Sequence, residues 1–167
     1  MSTEAAHTSY WQTSEVIFGV PLVVAITLQF LVPLSLPRGV FRWPFILGGA
    51  ALIIAGLALI VLARREFGRR GQPTDPGRAT TQVVTTGVFS ISRNPIYLGA
   101  ACLMAGIALA ANLPWELIFF LPSLVACHYV LVAPEERYLA ARFGDEYRAY
   151  AGAVHRWIGR ARVPGRA

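Results

Sequence analysis

The 167-residue sequence contains no lysine, so all 15 of its basic residues are arginine. Charge of either sign is scarce: charged residues make up 14% of the chain, against roughly 25% in a soluble domain. Cysteine is nearly absent too. Cys102 and Cys127 both fall inside apolar runs, which argues against a disulfide framework. The three histidines are scattered without metal-ligand spacing, so no metal site is expected. The polar N-terminus, Met1 to Glu15, carries no arginine and lacks the basic n-region of a signal peptide. A net charge of +6 invites a nucleic-acid reading. The arginines, however, flank apolar runs and do not interleave with aromatics on a polar face, so no nucleic-acid partner is expected.

What the chain has in abundance is apolar sequence, 55% of all residues, gathered into long runs. Four runs suit a bilayer span: Val16 to Leu34, Phe45 to Ala63, Pro95 to Ala111 and Trp115 to Val132. Gly48, Gly49 and Gly56 give the second a small face for close helix contact, including contact with another copy of the chain. Arg64 and Arg65 are expected to end that span sharply. The long polar connection 64–93 holds Pro73, Pro76 and several glycines, which argue against continuous helix, and Thr80 to Thr86 is locally β-prone. Asn112, Leu113 and Pro114 make a tight break, so the third and fourth spans form an antiparallel hairpin. Pro134 is expected to end the fourth. Apolar or aromatic residues at 139, 143, 147, 150 and 154 then predict an amphipathic interfacial helix over 135–158, interrupted at Gly144 and anchored by Trp157 and Ile158. The expectation is one all-α domain over 1–167, four transmembrane helices and an interfacial C-terminal helix embedded in a lipid bilayer. Thirteen arginines fall to the side shared by the N-terminus, the long connection and the tail, and two, Arg38 and Arg42, to the other. The positive-inside rule then puts both termini in the cytoplasm of a multi-pass inner (plasma) membrane protein.

At the start of the third span, Arg93, Asn94 and Pro95 stand where polar sequence gives way to apolar. Proline suits the first helical turn, and Asn94 is placed to cap it. Free N–H groups and the positive helix end, with Arg93 beside them, make an anion site. Glu135 and Glu136 leave the fourth span on the same side. The two polar groups should therefore face one another, in a pocket suited to a charged cofactor and a lipid-like reactant. His128, in the fourth span, should face the bundle interior or a cavity, because an imidazole facing lipid is costly.

Three blocks carry a family resemblance: Gly71 to Pro76 followed by Val83 to Phe89; Arg93, Asn94, Pro95, Ile96, Tyr97, Leu98 and Gly99; and Glu135 to Leu139, continued by Phe143 to Tyr150 and Val154 to Ile158. Together they resemble the isoprenylcysteine carboxyl methyltransferase and phospholipid methyltransferase superfamily, in its minimal bacterial form. The resemblance implies an integral membrane methyltransferase using S-adenosyl-L-methionine and releasing S-adenosyl-L-homocysteine, without a Rossmann domain. In keeping with this, no glycine fingerprint follows a predicted strand. The resemblance places the cofactor in a cytoplasmic pocket walled by Arg93, Asn94, Pro95, Tyr97 and Gly99. Glu135 and Glu136 match the acidic pair of the cofactor site, Tyr147, Tyr150 and Arg156 match tail positions that close it, Gln72 to Thr74 match the loop over it, and His128 matches a polar position facing the cofactor. Arg93, Glu136 and Arg156 would be the catalytic set. Asn94 stands where many carboxyl-methylating members have histidine, which is closer to lipid-methylating members. The methyl acceptor would be hydrophobic or lipid-like, presenting a carboxylate, amine or thiol. Two other readings remain: an NADPH-dependent membrane reductase resembling steroid 5α-reductases, which shares the Arg-Asn/His-Pro-x-Tyr theme, and a small non-enzymatic membrane protein.

Overall fold

The computed structural model describes residues 14–37, 39–72 and 80–161. Among them the secondary structure is helical apart from an isolated bridge between Val154 and Arg160. Helix α1 covers Ser14–Leu31, and a 3-10 turn at Gly39–Phe41 leads into α2, Arg42–Arg69. A second 3-10 turn, Gly87–Ser90, precedes α3, Pro95–Ala110. Then come α4, Pro114–Ala126, a π-helical segment Cys127–Val132, α5, Ala133–Phe143, and α6, Asp145–Ala153. Two stretches, Gly39–Arg69 and Pro114–Phe143, are long and apolar enough to cross a membrane, and two shorter apolar helices, Glu15–Leu31 and Pro95–Ala110, accompany them. Only 11% and 22% of the apolar windows of the long helices are buried within the protein. The core helix of a soluble protein would be mostly enclosed, whereas here Val20, Phe30, Leu47, Ile54 and Leu121 all face outward.

Close backbone approach sets the frame. A Cβ on Gly56 would lie 2.5 Å from the carbonyl oxygen of Gly99, and one on Gly106 would lie 2.7 Å from that of Gly49. The low number on α2 meets the high number on α3, so the helices are antiparallel and their backbones touch at two levels. Packing of this kind substitutes for the hydrophobic driving force that helices lack in lipid. The glycine face of α2 is thus applied to α3, while Gly48 retains open space. At the far end, Asn112 adopts φ +55 in the break between α3 and α4, and its Oδ1 accepts the Leu36 N–H at 2.8 Å. Trp115 Nε1 donates to the Val32 carbonyl at 2.8 Å, fastening the end of α1 to the start of α4.

Several boundaries differ from the sequence-based expectation. Arg64 and Arg65 do not stop α2, which continues to Arg69, because arginine and glutamate are themselves good helix formers. Thr80 to Thr86 forms no strand, because no neighbouring strand offers a ladder. Pro134 does not end the helix that precedes it. The helix runs from α4 into α5 through the π segment, whose wider turn accommodates a residue that has no N–H and whose ring would clash with the carbonyl four residues back. The C-terminal helix is two helices, parted at Gly144 with φ +54, and it ends at Ala153, short of the expected 158. Glu116, in the first turn of α4, is fully buried, where sequence alone would place a solvated carboxylate.

Two apolar clusters fill the interior. One joins Phe18, Ala101, Met104, Cys127, Leu131 and Val132 between α1, α3 and the π segment. The other joins Ala63, Val84, Phe89, Tyr147, Tyr150 and Val154 at the end where α2 finishes and α3 begins. The second cluster packs the polar connection and the tail onto the bundle, and each large side chain in it contributes about 1.5–3 kcal/mol relative to exposure to water.

Candidate active site

The site is built where the connection enters α3. Thr86 Oγ1 hydrogen-bonds the Glu66 carboxylate, and Phe67 stacks on Phe89 with centroids 4.9 Å apart, so the 3-10 turn is tied to the end of α2. Tyr150 donates its hydroxyl to the Phe89 carbonyl at 2.7 Å, binding α6 to the same turn. After α6 the chain turns back along residues 90–94. Arg93 N–H donates to the His155 carbonyl at 3.2 Å and Gly159 N–H to the Ile91 carbonyl at 2.7 Å. Arg160 Nε reaches the Ser90 carbonyl at 3.1 Å. Arg93 and Arg156 are thereby delivered to one place from opposite ends of the described tail and connection.

Glu136 is the hub. Arg156 Nε donates to both its oxygens at 3.1 Å, and Arg156 Nη2 donates to Oε2 at 2.7 Å. Arg93 Nη2 stands 3.5 Å from Oε1, and Asn94 Nδ2 donates to the same oxygen at 3.3 Å. Asn94 is buried and occupies the N-cap position of α3, but its side chain does not cap the helix as expected. Its amide nitrogen donates to Glu136 and to the Arg156 carbonyl, the latter at 3.3 Å, and the charge on the carboxylate makes the first of these the stronger bond. Ser92, buried, accepts the Asn94 N–H at 3.1 Å and donates to the Arg156 carbonyl at 3.5 Å. Nothing in its sequence context marked Ser92 out.

Glu135 sits beside this hub with a different partner. Tyr97 donates its hydroxyl to Glu135 Oε2 at 2.8 Å, and among the described residues no hydrogen bond engages Oε1. Burial, reinforced by the neighbouring Glu136 charge and opposed by the Tyr97 hydrogen bond, raises the Glu135 carboxyl above the usual carboxylate range. Burial pulls Glu136 the same way, but the Arg156 hydrogen bonds and the Arg93 and Arg156 charges outweigh it and hold Glu136 low. Arg156 is raised by its bonds to Glu136. Burial pushes Tyr147 up to about 12, with the Glu136 charge adding to it and the Arg93 charge opposing it. Two adjacent carboxyls are thus driven apart in acidity. Among the described residues the buried Arg93 Nε has no hydrogen-bond partner.

The other expected site residues are distributed as follows. Pro95 is fully buried at the first turn of α3. Gly99 lies on the α2-facing side of α3, against the Gly56 carbonyl. Gln72 is buried and pins the connection, donating to Thr81 Oγ1 at 2.7 Å and accepting the Thr81 N–H at 2.8 Å. Thr74 lies outside the described residues, as do Arg38, Arg78, Arg162 and Arg166. His128, in the π segment, is not part of the Glu136 cluster. It lines an apolar groove of about 560 Å³ between α3 and α4, together with Leu98, Cys102, Phe120, Leu124 and Trp157. The groove and the polar cluster share sequence neighbours: Tyr97 and Arg156 belong to one, Leu98 and Trp157 to the other. No group of His, Cys, Asp and Glu that could hold a metal ion is present among the described residues.

A family model described as phospholipid methyltransferase matches residues 44–146, more than half of the chain. The match runs from the start of α2 into α6, and it includes Arg93, Asn94, Tyr97, Glu135 and Glu136 while stopping short of Tyr150 and Arg156. No curated protein and no solved structure matches the chain.

Proposed function

Since this chain belongs to the phospholipid methyltransferase family, we propose that it is a membrane methyltransferase that takes its methyl group from S-adenosylmethionine and delivers it to a lipid-like or hydrophobic acceptor. The observation that carries this reading is the buried polar cluster at the mouth of α3 and α5. Among the described residues it holds one buried donor without a partner, Arg93 Nε, and one carboxylate oxygen, Glu135 Oε1, that no hydrogen bond engages. S-adenosylmethionine presents a carboxylate, an ammonium and ribose hydroxyls, and it supplies an activated methyl group when bound.

The residues divide by what they still have to offer. Glu136 is saturated by Arg156, Arg93 and Asn94, so it acts as the positioning residue that holds the two guanidiniums and the amide in place. Arg93, with its free Nε, pairs with the cofactor carboxylate. Glu135, oriented by Tyr97, accepts from the ammonium or the ribose hydroxyls. Tyr147 and Tyr150, closing the site from α6, present aromatic faces to a sulfonium. A methyl already activated on sulfonium needs alignment and exclusion of water more than acid–base help, and a site sealed by a folded-back tail supports both. The same reading takes all four apolar helices as spans, with the arginine-rich site end on the cytoplasmic face of the inner membrane and the open face around Gly48 free for self-association.

Calorimetry on the detergent-purified protein tests it, with S-adenosylmethionine, S-adenosylhomocysteine and NADPH as titrants. The expected result is micromolar binding of both sulfur compounds, weakened at least tenfold in Arg93→Ala and Glu135→Gln. Binding of NADPH in their place would transfer the protein to the reductase reading, and binding of none of the three would remove the enzyme assignment.

A further inference from the structure

The register of the α2–α3 contact leaves a second cavity at the end opposite the Glu136 cluster. A Cβ on Gly49 would lie 2.7 Å from both the Ala110 backbone nitrogen and the Gly106 carbonyl oxygen, so Gly49 stands level with the last turn of α3. Residues 42 to 49 span about 10 Å of helix. The first turns of α2 therefore project past the end of α3, and beside them lies a cavity of about 620 Å³. Phe45 and Ile46 of α2 and Leu109 of α3 line its inner part, Leu36 lines it from the connection after α1, and Arg42 and Asn112 line its outer end. Asn112 Oδ1 accepts the Leu36 N–H at 2.8 Å, and among the described residues no hydrogen bond engages its Nδ2. Among the same residues no hydrogen bond or ion pair engages the Arg42 guanidinium, and no carboxylate lines the cavity.

We propose that this cavity holds an anionic phospholipid of the leaflet opposite the active site, its phosphate on Arg42 and the Asn112 amide and an acyl chain along Phe45, Ile46 and Leu109. The proposal rests on the four-span reading and is independent of the methyl-transfer chemistry. Depth argues for a lipid. The apolar stretch of α2, Phe45 to Ala63, is about 28 Å long, close to the roughly 30 Å hydrocarbon thickness of a bilayer. Arg42, one turn before Phe45, then stands at the height of the lipid phosphates, with the exposed aromatics Phe41 and Trp43 beside it. Helix α3, with 16 residues, is about 24 Å long and falls short of the same thickness, which leaves a gap for an amphiphile to fill. A free phosphate would meet Arg42 but leave the inner apolar wall uncovered. Charge narrows the headgroup. A guanidinium answers a phosphate in bidentate fashion, whereas an ethanolamine ammonium would find no carboxylate among the described lining residues. The ligand is thus a lipid with one net negative charge and an uncharged headgroup, as in phosphatidylglycerol. Arg42 is about 36 Å along α2 from Glu66, so this lipid is bound apart from the methyl acceptor.

Native mass spectrometry of the full chain released from detergent micelles tests the proposal, with phosphatidylglycerol, phosphatidylethanolamine and inorganic phosphate as separate probes. The expected result is retention of one phosphatidylglycerol per chain, several-fold weaker retention of phosphatidylethanolamine, and no displacement of the lipid by phosphate. Arg42→Gln should weaken retention about tenfold, the worth of one charge-assisted contact. Arg64→Gln, which alters an exposed arginine near the other end of α2, should leave it unchanged. Ile46→Trp fills the inner part of the cavity and should lower retention with Arg42 intact. Phosphatidylglycerol should raise the unfolding temperature of wild type and not of Arg42→Gln, while both bind S-adenosylhomocysteine equally. Equal retention by wild type and Arg42→Gln, equal affinity for the two lipids, displacement by phosphate, or a lipid-free dimer in place of the lipid-bound chain would each overturn the inference. Topology is read separately. Val40→Cys, at a position 83% exposed, should react with an impermeant maleimide applied outside intact cells. Failure there would strike the four-span orientation itself, while lost lipid binding in correctly oriented protein would strike this inference alone.

Discussion

Replacing Glu136 by Gln tests whether the tail is held to the bundle electrostatically. The substitution keeps the shape of the side chain and removes its charge. It weakens three contacts from Arg156 at 3.1, 3.1 and 2.7 Å and the Arg93 approach at 3.5 Å. A hydrogen bond to a charged group is worth about 1.5–3 kcal/mol when buried. The Glu136 and Arg93 side chains are 12% and 13% exposed, whereas Arg156 is 38% exposed, so solvent screens its share. The expected loss is about 2–3 kcal/mol, less than the cost of breaking a fully buried pair. Reversible unfolding in mixed micelles, followed by circular dichroism, measures it. The double-mutant cycle with Arg156→Gln isolates the pair, with a coupling of about 1–2 kcal/mol expected. Coupling below about 0.5 kcal/mol, the ordinary scatter of independent sites, would refute the claim that this contact closes the site.

Three further outcomes follow from the same structure. The stabilisation that Glu136 supplies depends on its low native pKa: it should be fully present above the ordinary carboxylate pKa of about 4.3 and fade as pH falls through the lower native value. The stability gap between wild type and Glu136→Gln should therefore close on acidification, and a gap that widened would contradict the assignment. Gly56→Ala places a methyl 2.5 Å from the Gly99 carbonyl and should destabilise by about 1–3 kcal/mol; Gly48→Ala, facing open space, should be neutral or slightly stabilising, and equal effects would deny the α2–α3 contact. Glu116 Oε2 and Gln29 Oε1 are both buried acceptors without donors among the described residues. Glu116→Gln, which introduces a donor, should change stability by less than about 1 kcal/mol, while Glu116→Ala should lose clearly more in the same unfolding assay.

Much of the site was legible because its logic is local or compositional. Pro95 marks the start of a helix wherever it is read, the arginine beside it and the two glutamates after α4 stand out against apolar sequence, and a hairpin of two spans must bring them to the same end. What escaped was set by distant partners. Asn94 reads as a cap, and only the arrival of Glu136, 42 positions away, shows why its amide points elsewhere. Gly99 sits within the motif yet serves the contact with α2. Pro134 reads as a terminator, because a one-turn widening of the helix has no period of its own in the hydrophobic pattern. Glu116 hides beside Trp115 and Pro114, where a carboxylate is ordinarily the solvated first turn of a helix.

That widened turn has a consequence for how the sequence tolerates length changes. The π segment carries one more residue per turn than the α-helix on either side. Deleting a single residue between 127 and 132 would let the stretch wind as regular α-helix, the wide turn absorbing the loss, whereas the same deletion within α4 would rotate everything after it by about 100°. A deletion in α4 would swing Glu135 and Glu136 away from Tyr97 and Asn94 together, with no side chain of the site altered, and one in the wide turn would leave them facing the same way. Alignments that slide such a gap out of this segment into α4 would therefore compare residues on different faces of the helix, and a chain shortened in α4 would keep every site residue while losing the site.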